Sequence, residues 1–443
     1  MNNFLTFVDS FHLYDNLKLK ISSQWRHYSP FRSKLINLLL GLPNHSLTPK
    51  DTIEQLVKFE KFSIICRAAR FGFKQNVSHQ SAKTDYFRLI MRVIGQINLI
   101  RFICIIVIDN EDYQLYLGDF AYKTNYRFII NFLVTIIYLI GAVNSECLVL
   151  FDKSGKFSVL AIYSSIIDHG FDPLILQMTK TQAIAFHRTI HILVTQLNRS
   201  FIFCCLFVKP CYFSILLFNP NFYLVKQLPY YSLAWSLVVV FVSFTMIGQY
   251  FAIFGYLFLT QAYSFYRLRS AIELSDSYRS SKFTNEFAST FIKYTFDSLN
   301  QFEKFSKLTG IIVFSVIAAI AFMGDLCIFY GFIMRFHSPL YANSTGSIGC
   351  IVFIVIGCLS LIAREFKIKM EHLNSHLQII YRYNVLDVYN QFKLLQLMER
   401  LSEPKNGIQL GSITTIGKDF FMVFMMEIGS SLMLFTLNFK RYF

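Results

Sequence analysis

GKDFFMVFMMEIGSSLMLFTLNF, residues Gly417 to Phe439, is an almost unbroken apolar run. As a helix it reaches about 34 Å, enough to cross a bilayer. It is not uniformly apolar. Glu427, Ser431 and Asn438 stand at i, i+4 and i+11, and at about 100° per residue they share one narrow sector with Leu434 between them. A carboxylate near mid-membrane costs roughly 2 to 3 kcal/mol, so such residues face a bundle interior or water. The stripe therefore reads either as a polar seam buried between helices or as the lining of a water-filled pathway.

The rest of the composition puts this run in a membrane setting. With 54% hydrophobic and 17% aromatic residues among 443 and a mean hydropathy of +0.43, the chain fits an all-α polytopic membrane protein better than a soluble domain. The opening MNNFLTFVDSFHLYDNLK has neither the basic n-region nor the sustained apolar h-region of a signal peptide. Nine cysteines, mostly inside apolar runs, give no disulfide framework and no zinc spacing. They read as core thiols. The net charge of +15 is scattered among hydrophobic spans, so it forms no nucleic-acid stripe. Attraction of basic loops to anionic membrane lipid accounts for it.

Working back from Gly417 divides the chain into four parts. Residues 1–87 form an N-terminal region of short amphipathic helices lying near the membrane. Residues 88–363 hold six spans: Arg88 to Ile108, Phe128 to Phe151, Ser200 to Phe218, Tyr231 to Thr260, Leu308 to Met334 and Ile348 to Ala363. The third carries Lys209-Pro210 at its centre and reads as kinked. The fourth, at about 45 Å, exceeds a bilayer and is expected to tilt or project. Asp152 to Leu197 reads as a loop, and Glu146 as a side chain that snorkels to the interface. Residues 364–416 hold a long amphipathic helix, because Phe366, Met370, Leu373, Leu377 and Ile380 recur at four-three spacing and Val388, Phe392 and Leu395 resume it after a slip. Residues 417–439 are the seventh span.

The charge pattern leaves orientation open, since the segments on the basic side are also the longer ones. With the N-terminus in the cytosol, the short loop RFHSPLYANSTGS lies outside, where its glycosylation sequon at Asn343 fits, while the sequons at Asn44, Asn76 and Asn198 would then lie inside.

No Walker A loop, GxSxG elbow, GxGxxG or HExxH occurs, so an enzyme is not indicated. His187 with His191, and His372 with His376, share helix faces without the glutamate of a zincin; no metal or cofactor is implied. Glu146, Asp325 and Glu427 fit the proton relay of a secondary transporter, but no internal repeat accompanies them. A seven-span G-protein-coupled receptor is the other competitor. The third span lacks an Asp/Glu-Arg-Tyr element and the last lacks Asn-Pro-x-x-Tyr.

Ser431 to Phe439, SLMLFTLNF, resembles the signature closing the last helix of arthropod gustatory receptors: Thr-Tyr, five mostly hydrophobic residues, then Gln-Phe. Ser431 stands for Thr, Leu432 for Tyr and Asn438 for Gln, with Phe439 unchanged. The approach GSITTIGKDFF from Gly411 and the element LINLLLGLP from Leu35 to Pro43 are also similar to that family. The resemblance implies a plasma-membrane chemoreceptor with seven helices, a cytosolic N-terminus and an extracellular C-terminus. It also implies a homotetrameric or heterotetrameric cation channel gated by a small-molecule tastant or odorant. Seventh helices surround the pore, and cytosolic extensions of the fourth to sixth helices form the inter-subunit anchor. On that reading Glu427, Ser431, Leu434, Phe435 and Asn438 form pore and gate, with Leu434 or Phe435 as an apolar constriction. The ligand pocket of the family lies in the outer half of the bundle, which points to Phe132, Phe213, Tyr231, Trp235 and Tyr330.

Overall fold

The computed structural model describes residues 37, 40–42 and 46–439, apart from 70–71, 74–81, 125–126, 156, 158–159, 218, 220, 280–284, 334, 336–338, 385, 404–406, 411–413 and 417. The described residues are helical except for turns and one short hairpin.

Helix α1 (Pro49–Ile65) opens on a capping box. Thr48 Oγ1 accepts from the Asp51 amide and the Asp51 carboxylate accepts from the Thr48 amide, which satisfies two end donors at once. Thr52, Leu56, Phe59 and Ser63 form its buried stripe, packed on later helices. Phe59 fills the hollow at Gly255, where a Cβ would lie 2.1 Å from the ring. The region read as short amphipathic helices thus holds one, whose opposite face, with Glu54, Lys58 and Lys61, is exposed. Residues 1–36, and all of the Leu35–Pro43 element except 37 and 40–42, lie outside the described residues.

Helices α2 (Ala82–Val107) and α4 (Arg127–Lys153) supply the first two spans, with α3 (Glu111–Tyr116) between them. The segment read as a loop from Asp152 is instead α5 (Ala161–His169), α6 (Pro173–Leu176) and the first turns of α7 (Lys180–Leu217). Ala183, Phe186, Ile190 and Val194 bury a stripe there. The intervening Gln, His, Arg and Thr residues lower the mean hydropathy without breaking the helix period, which is why a search for apolar runs misses it. The backbone of α7 runs through Pro210 as one helix.

After the short α8 (Asn221–Leu224) come three very long helices. Helix α9 (Leu228–Arg279) has 52 residues, α10 (Asn285–Ile328) 44, and α11 (Pro339–Tyr383) 45. At 1.5 Å per residue these run about 78, 66 and 68 Å, more than twice the hydrocarbon thickness. A π-helical turn, Phe329–Ile333, continues α10. Glycines bring α10 and α11 into backbone contact: a Cβ on Gly331 would sit 2.2 Å from the Gly346 nitrogen, and one on Gly349 2.7 Å from the Gly324 oxygen. Small residues allow such close approach of membrane helices. Asn343, expected in a loop, lies exposed in the first turns of α11.

The amphipathic stripe divides at the break after Tyr383. Phe366, Met370, Leu373, Leu377 and Ile380 are buried, as their spacing predicts. Phe366 stacks on Phe302 of α10 with centroids 4.2 Å apart. The continuation through Val388, Phe392 and Leu395 is not the buried face of α12 (Val388–Ser402); those three are exposed, and Asn390, Leu394, Leu397 and Leu401 are buried. Asp387 caps α12 anew by accepting from the Asn390 amide at 3.0 Å, so the phase of the second helix owes nothing to the first. Strands β1 (Gln409–Leu410) and β2 (Thr414–Thr415) pair antiparallel and lead into α13 (Lys418–Phe439).

Among the described residues six helices are long and apolar enough to cross a membrane, and α13 adds an apolar stretch over Phe420–Leu434. The chain is a multi-pass membrane protein with a polar helical extension. In that extension Lys307 and Arg400 each place a nitrogen 2.6 Å from the Glu303 carboxylate, tying α10 to α12.

Two outcomes follow from this packing. Leu394→Ala should destabilise the chain by about 2–4 kcal/mol and Val388→Ala by no more than about 0.5 kcal/mol, measured as thermal melting of detergent-solubilised protein. The hydrogen bond from Lys307, joined by that from Arg400, holds the Glu303 carboxyl below its ordinary range. A carboxyl held low stabilises the fold above its unfolded pKa and loses that contribution as pH falls through the depressed value. Glu303→Gln should therefore melt with a smaller drop between about pH 5 and about pH 3 than the parent chain.

Candidate functional site

Helix α13 touches its own chain along one face. Ile428 is buried against Phe353 and Ile356 of α11, with Ile320, Ala321 and Ile328 of α10 beside them. Phe424 meets Phe353 at 6.4 Å, nearly perpendicular, and stacks on Phe420 at 5.7 Å. Phe421 fills the hollow at Gly357. At about 100° per residue this contact face is centred on Ile428, and the Glu427–Ser431–Leu434 stripe flanks it. Glu427 and Leu434 are exposed and Ser431 is half-buried. Opposite the contact face, Met422, Val423, Met426, Met433 and Leu437 are all exposed. The helix thus shows three sectors: one packed, one polar and uncovered, one apolar and uncovered. The side chains of Phe435 and Asn438 lie outside the described residues.

At one end of the bundle, the loop after α3 is fixed on α9 by aromatic and cationic groups. Trp235 donates from Nε1 to the Tyr116 carbonyl at 3.2 Å. Tyr116 meets Tyr231 edge-on at 5.1 Å. The Arg101 guanidinium lies 4.7 Å from the Trp235 ring centre and donates to the carbonyls of Leu117 (2.7 Å) and Gly118 (2.9 Å) and to Asn98 Oδ1 (3.2 Å). Gly118 has φ +63°, and a Cβ there would stand 2.9 Å from the Tyr231 carbonyl oxygen. Next to this lies a fully buried Asp119 side chain. Its carboxylate accepts from Arg127 Nε at 2.5 Å, Asn131 Nδ2 at 3.0 Å and the Ala121 amide at 2.9 Å.

Of the five residues expected around a ligand, Tyr231 and Trp235 belong to this cluster. Tyr330, on the π turn of α10, packs half-buried in the adjoining cluster of Phe102, Phe120 and Val239. Phe132 is 41% exposed and stacked on Phe128 at 6.0 Å. The Phe213 side chain lies outside the described residues. A small cavity lined by Leu257, Gln261, Val316, Leu359, Ile408 and Ile416 lies elsewhere, where the β-hairpin meets α9, α10 and α11.

The three membrane acids do not form a relay with one another among the described residues. Glu146 pairs with Arg92 of α2, which donates to it from Nε (2.6 Å) and Nη2. Asp325 is buried with Oδ1 unpartnered, and Glu427 stands on the open stripe of α13. The histidine pairs serve packing. His187 and His191 both bond Thr52 Oγ1, at 2.8 and 3.1 Å, which fastens α1 to α7. His376 lies 3.0 Å from Asp276 and 3.2 Å from Ser275, joining α11 to α9. No group of three metal-ligating side chains occurs among the described residues.

No family model and no curated protein matches the sequence. The fold does match a solved structure, that of the insect olfactory receptor OR5 from Machilis hrabei in complex with eugenol. The TM-score is 0.61 at 10% identity, over 88% of this chain and 100% of that one. At that identity the likeness is one of fold.

Replacing Gly118 with Ala should cost about 1–3 kcal/mol, because it adds a Cβ at positive φ and presses it on the Tyr231 backbone. A melting curve measures it.

Proposed function

We propose that the chain is one subunit of a chemosensory cation channel of the gustatory type, opened directly by a small molecule, with four copies placing α13 around a central pore in the plasma membrane. The observation that carries this reading is α13 itself: a helix of membrane length that packs against its own chain on one face and leaves a polar and an apolar sector uncovered. In a ring of copies, the polar sector faces an aqueous axis while the apolar sector meets a neighbour or lipid. The gustatory-type signature over Ser431 to Phe439 implies the same role for this helix. The fold likeness to an olfactory receptor holding eugenol supports a small organic ligand.

In this arrangement Glu427 supplies an acidic ring that concentrates cations, as carboxylate rings do in cation pores. Leu434, one turn beyond Ser431, narrows the path and closes it by dewetting, with Phe435 beside it. Asn438 holds the position of the family's glutamine at the outer mouth. With the N-terminus in the cytosol, the extensions of α9, α10 and α11, with α12, form the cytosolic anchor between subunits. Ligand binding shifts the equilibrium by the difference in its affinity for open and closed states. Helix α10 is the connection between pocket and gate. It carries Tyr330 on its π turn, and a short distance before it Ala321 and Ile328, which pack around Ile428 of α13. A π turn is a local change of register that a small displacement can move along a helix, so a ligand pressing on Tyr330 re-seats the face on which α13 rests.

Glu427→Gln should reduce the permeability of divalent relative to monovalent cations and lower unitary conductance by about twofold or more, as removal of one charge per subunit from a ring requires. Patch-clamp recording of ligand-evoked currents measures both. A conducting variant with both quantities unchanged would remove Glu427 from the pore.

A further inference from the structure

Where the membrane half of the bundle passes into the extension, α9, α10, α11 and the β-hairpin enclose a cavity of about 10 Å³. Leu257 of α9, Val316 of α10, Leu359 of α11, and Ile408 and Ile416 beside the two strands supply apolar walls. Gln261 of α9 is the polar side chain among them. It is only 6% exposed. Its Oε1 is buried and meets no donor among the described residues.

Size and chemistry both define the occupant. About 10 Å³ is close to the volume of one water molecule and too little for an organic ligand. An amide oxygen carries two lone pairs, and leaving it bare in the interior costs the full desolvation of the group. Native folds seldom leave such an atom unmatched. A wholly apolar cavity stays dry, whereas a buried acceptor in its wall gives a water something to donate to. The hairpin side offers a second acceptor. The Ile408 carbonyl takes the Ile416 amide at 2.8 Å, and a carbonyl oxygen has a second lone pair.

We propose that this cavity is a binding site for one water molecule, which donates one proton to Gln261 Oε1 and the other to the Ile408 carbonyl. The water thereby joins α9 to the hairpin. A bridging water is nearly as favourable in enthalpy as a direct hydrogen bond and costs little entropy. Ile416 stands two positions before the first residue of α13, so the bridge steadies the strand that leads into that helix. The site is a property of the packed chain and does not depend on channel activity.

The purified full chain in nanodiscs, imaged by cryo-electron microscopy at a resolution that shows ordered water, gives the direct test. A peak is expected in the cavity at about 2.5–3.0 Å from Gln261 Oε1. An empty cavity, in a map that shows ordered water elsewhere in the interior, overturns the proposal. Melting gives an independent reading. Val316→Ile adds one methylene, which takes the space of the water and strands the acceptor, so the Tm should fall by roughly 1–3 °C. In Gln261→Leu there is no acceptor to strand, and the same substitution should lower the Tm by clearly less or not at all. Overpacking alone would cost the same in both backgrounds, so an equal fall in the two overturns the proposal. So does a rise on Val316→Ile in the parent chain, the outcome of filling a dry hollow.

Discussion

Backbone hydrogen bonds are too costly to break in hydrocarbon, so a membrane helix stays intact until it reaches water. In this chain three helices do not stop there. Helices α9, α10 and α11 continue unbroken into a polar bundle, and one continuous buried core follows them, from Phe59 and Tyr256 through Phe302 and Phe366 to Leu373 and Leu394. A rigid helix transmits a rotation or a shift along its whole length. The membrane half and the extension are therefore mechanically one object, and α12 and the β-hairpin that precede α13 are built on that object rather than on the lipid.

Within this frame glycine and the π turn have complementary effects. Gly324, Gly331, Gly346 and Gly349 press the α10 and α11 backbones together, which fixes their relative height. The π turn at Phe329–Ile333 then changes the phase of α10 just where it passes from α13 to the aromatic cluster around Phe102 and Phe120. One helix thereby presents residues to two partners that an uninterrupted α-helical repeat would not serve together.

Much of this was legible in the sequence, but unevenly. Phe366 to Ile380 announced a buried face because the helix they occupy is continuous; Val388, Phe392 and Leu395 did not, because a capped break at Asp387 resets the angular phase. The helices after Asp152 escaped notice because Phe186, Ile190 and Val194 are separated by polar residues that a hydropathy average weighs and a periodicity does not. That Glu427 and Leu434 share one stripe followed from angular spacing alone, which left a buried seam and an uncovered face as alternatives. The roles of Tyr231 and Trp235 did not, since their bonding depends on Tyr116, Arg101 and Gly118, more than 110 residues away in the case of the Trp235 hydrogen bond. Arg267 of α9, 2% exposed with the rings of Tyr263 and Tyr294 beside its guanidinium, could not be singled out at all. Nothing in a string of letters distinguishes an arginine sealed among tyrosines from one reaching into solvent.

The packing of α1 also has a bearing on how the chain is made. Thr52 bonds His187 and His191 across 135 and 139 positions of sequence, and Phe59 fits a glycine on α9, still further along. At about 5–20 residues per second, some 7–27 seconds of translation separate the emergence of α1 from that of the two histidines. During that interval Phe59 has Phe73 beside it but lacks the α9 surface that completes its cover. Docking of α1 is thus a late, long-range step of biogenesis, and a lesion in its apolar stripe would be felt by the cell's quality control before it was felt at any pore.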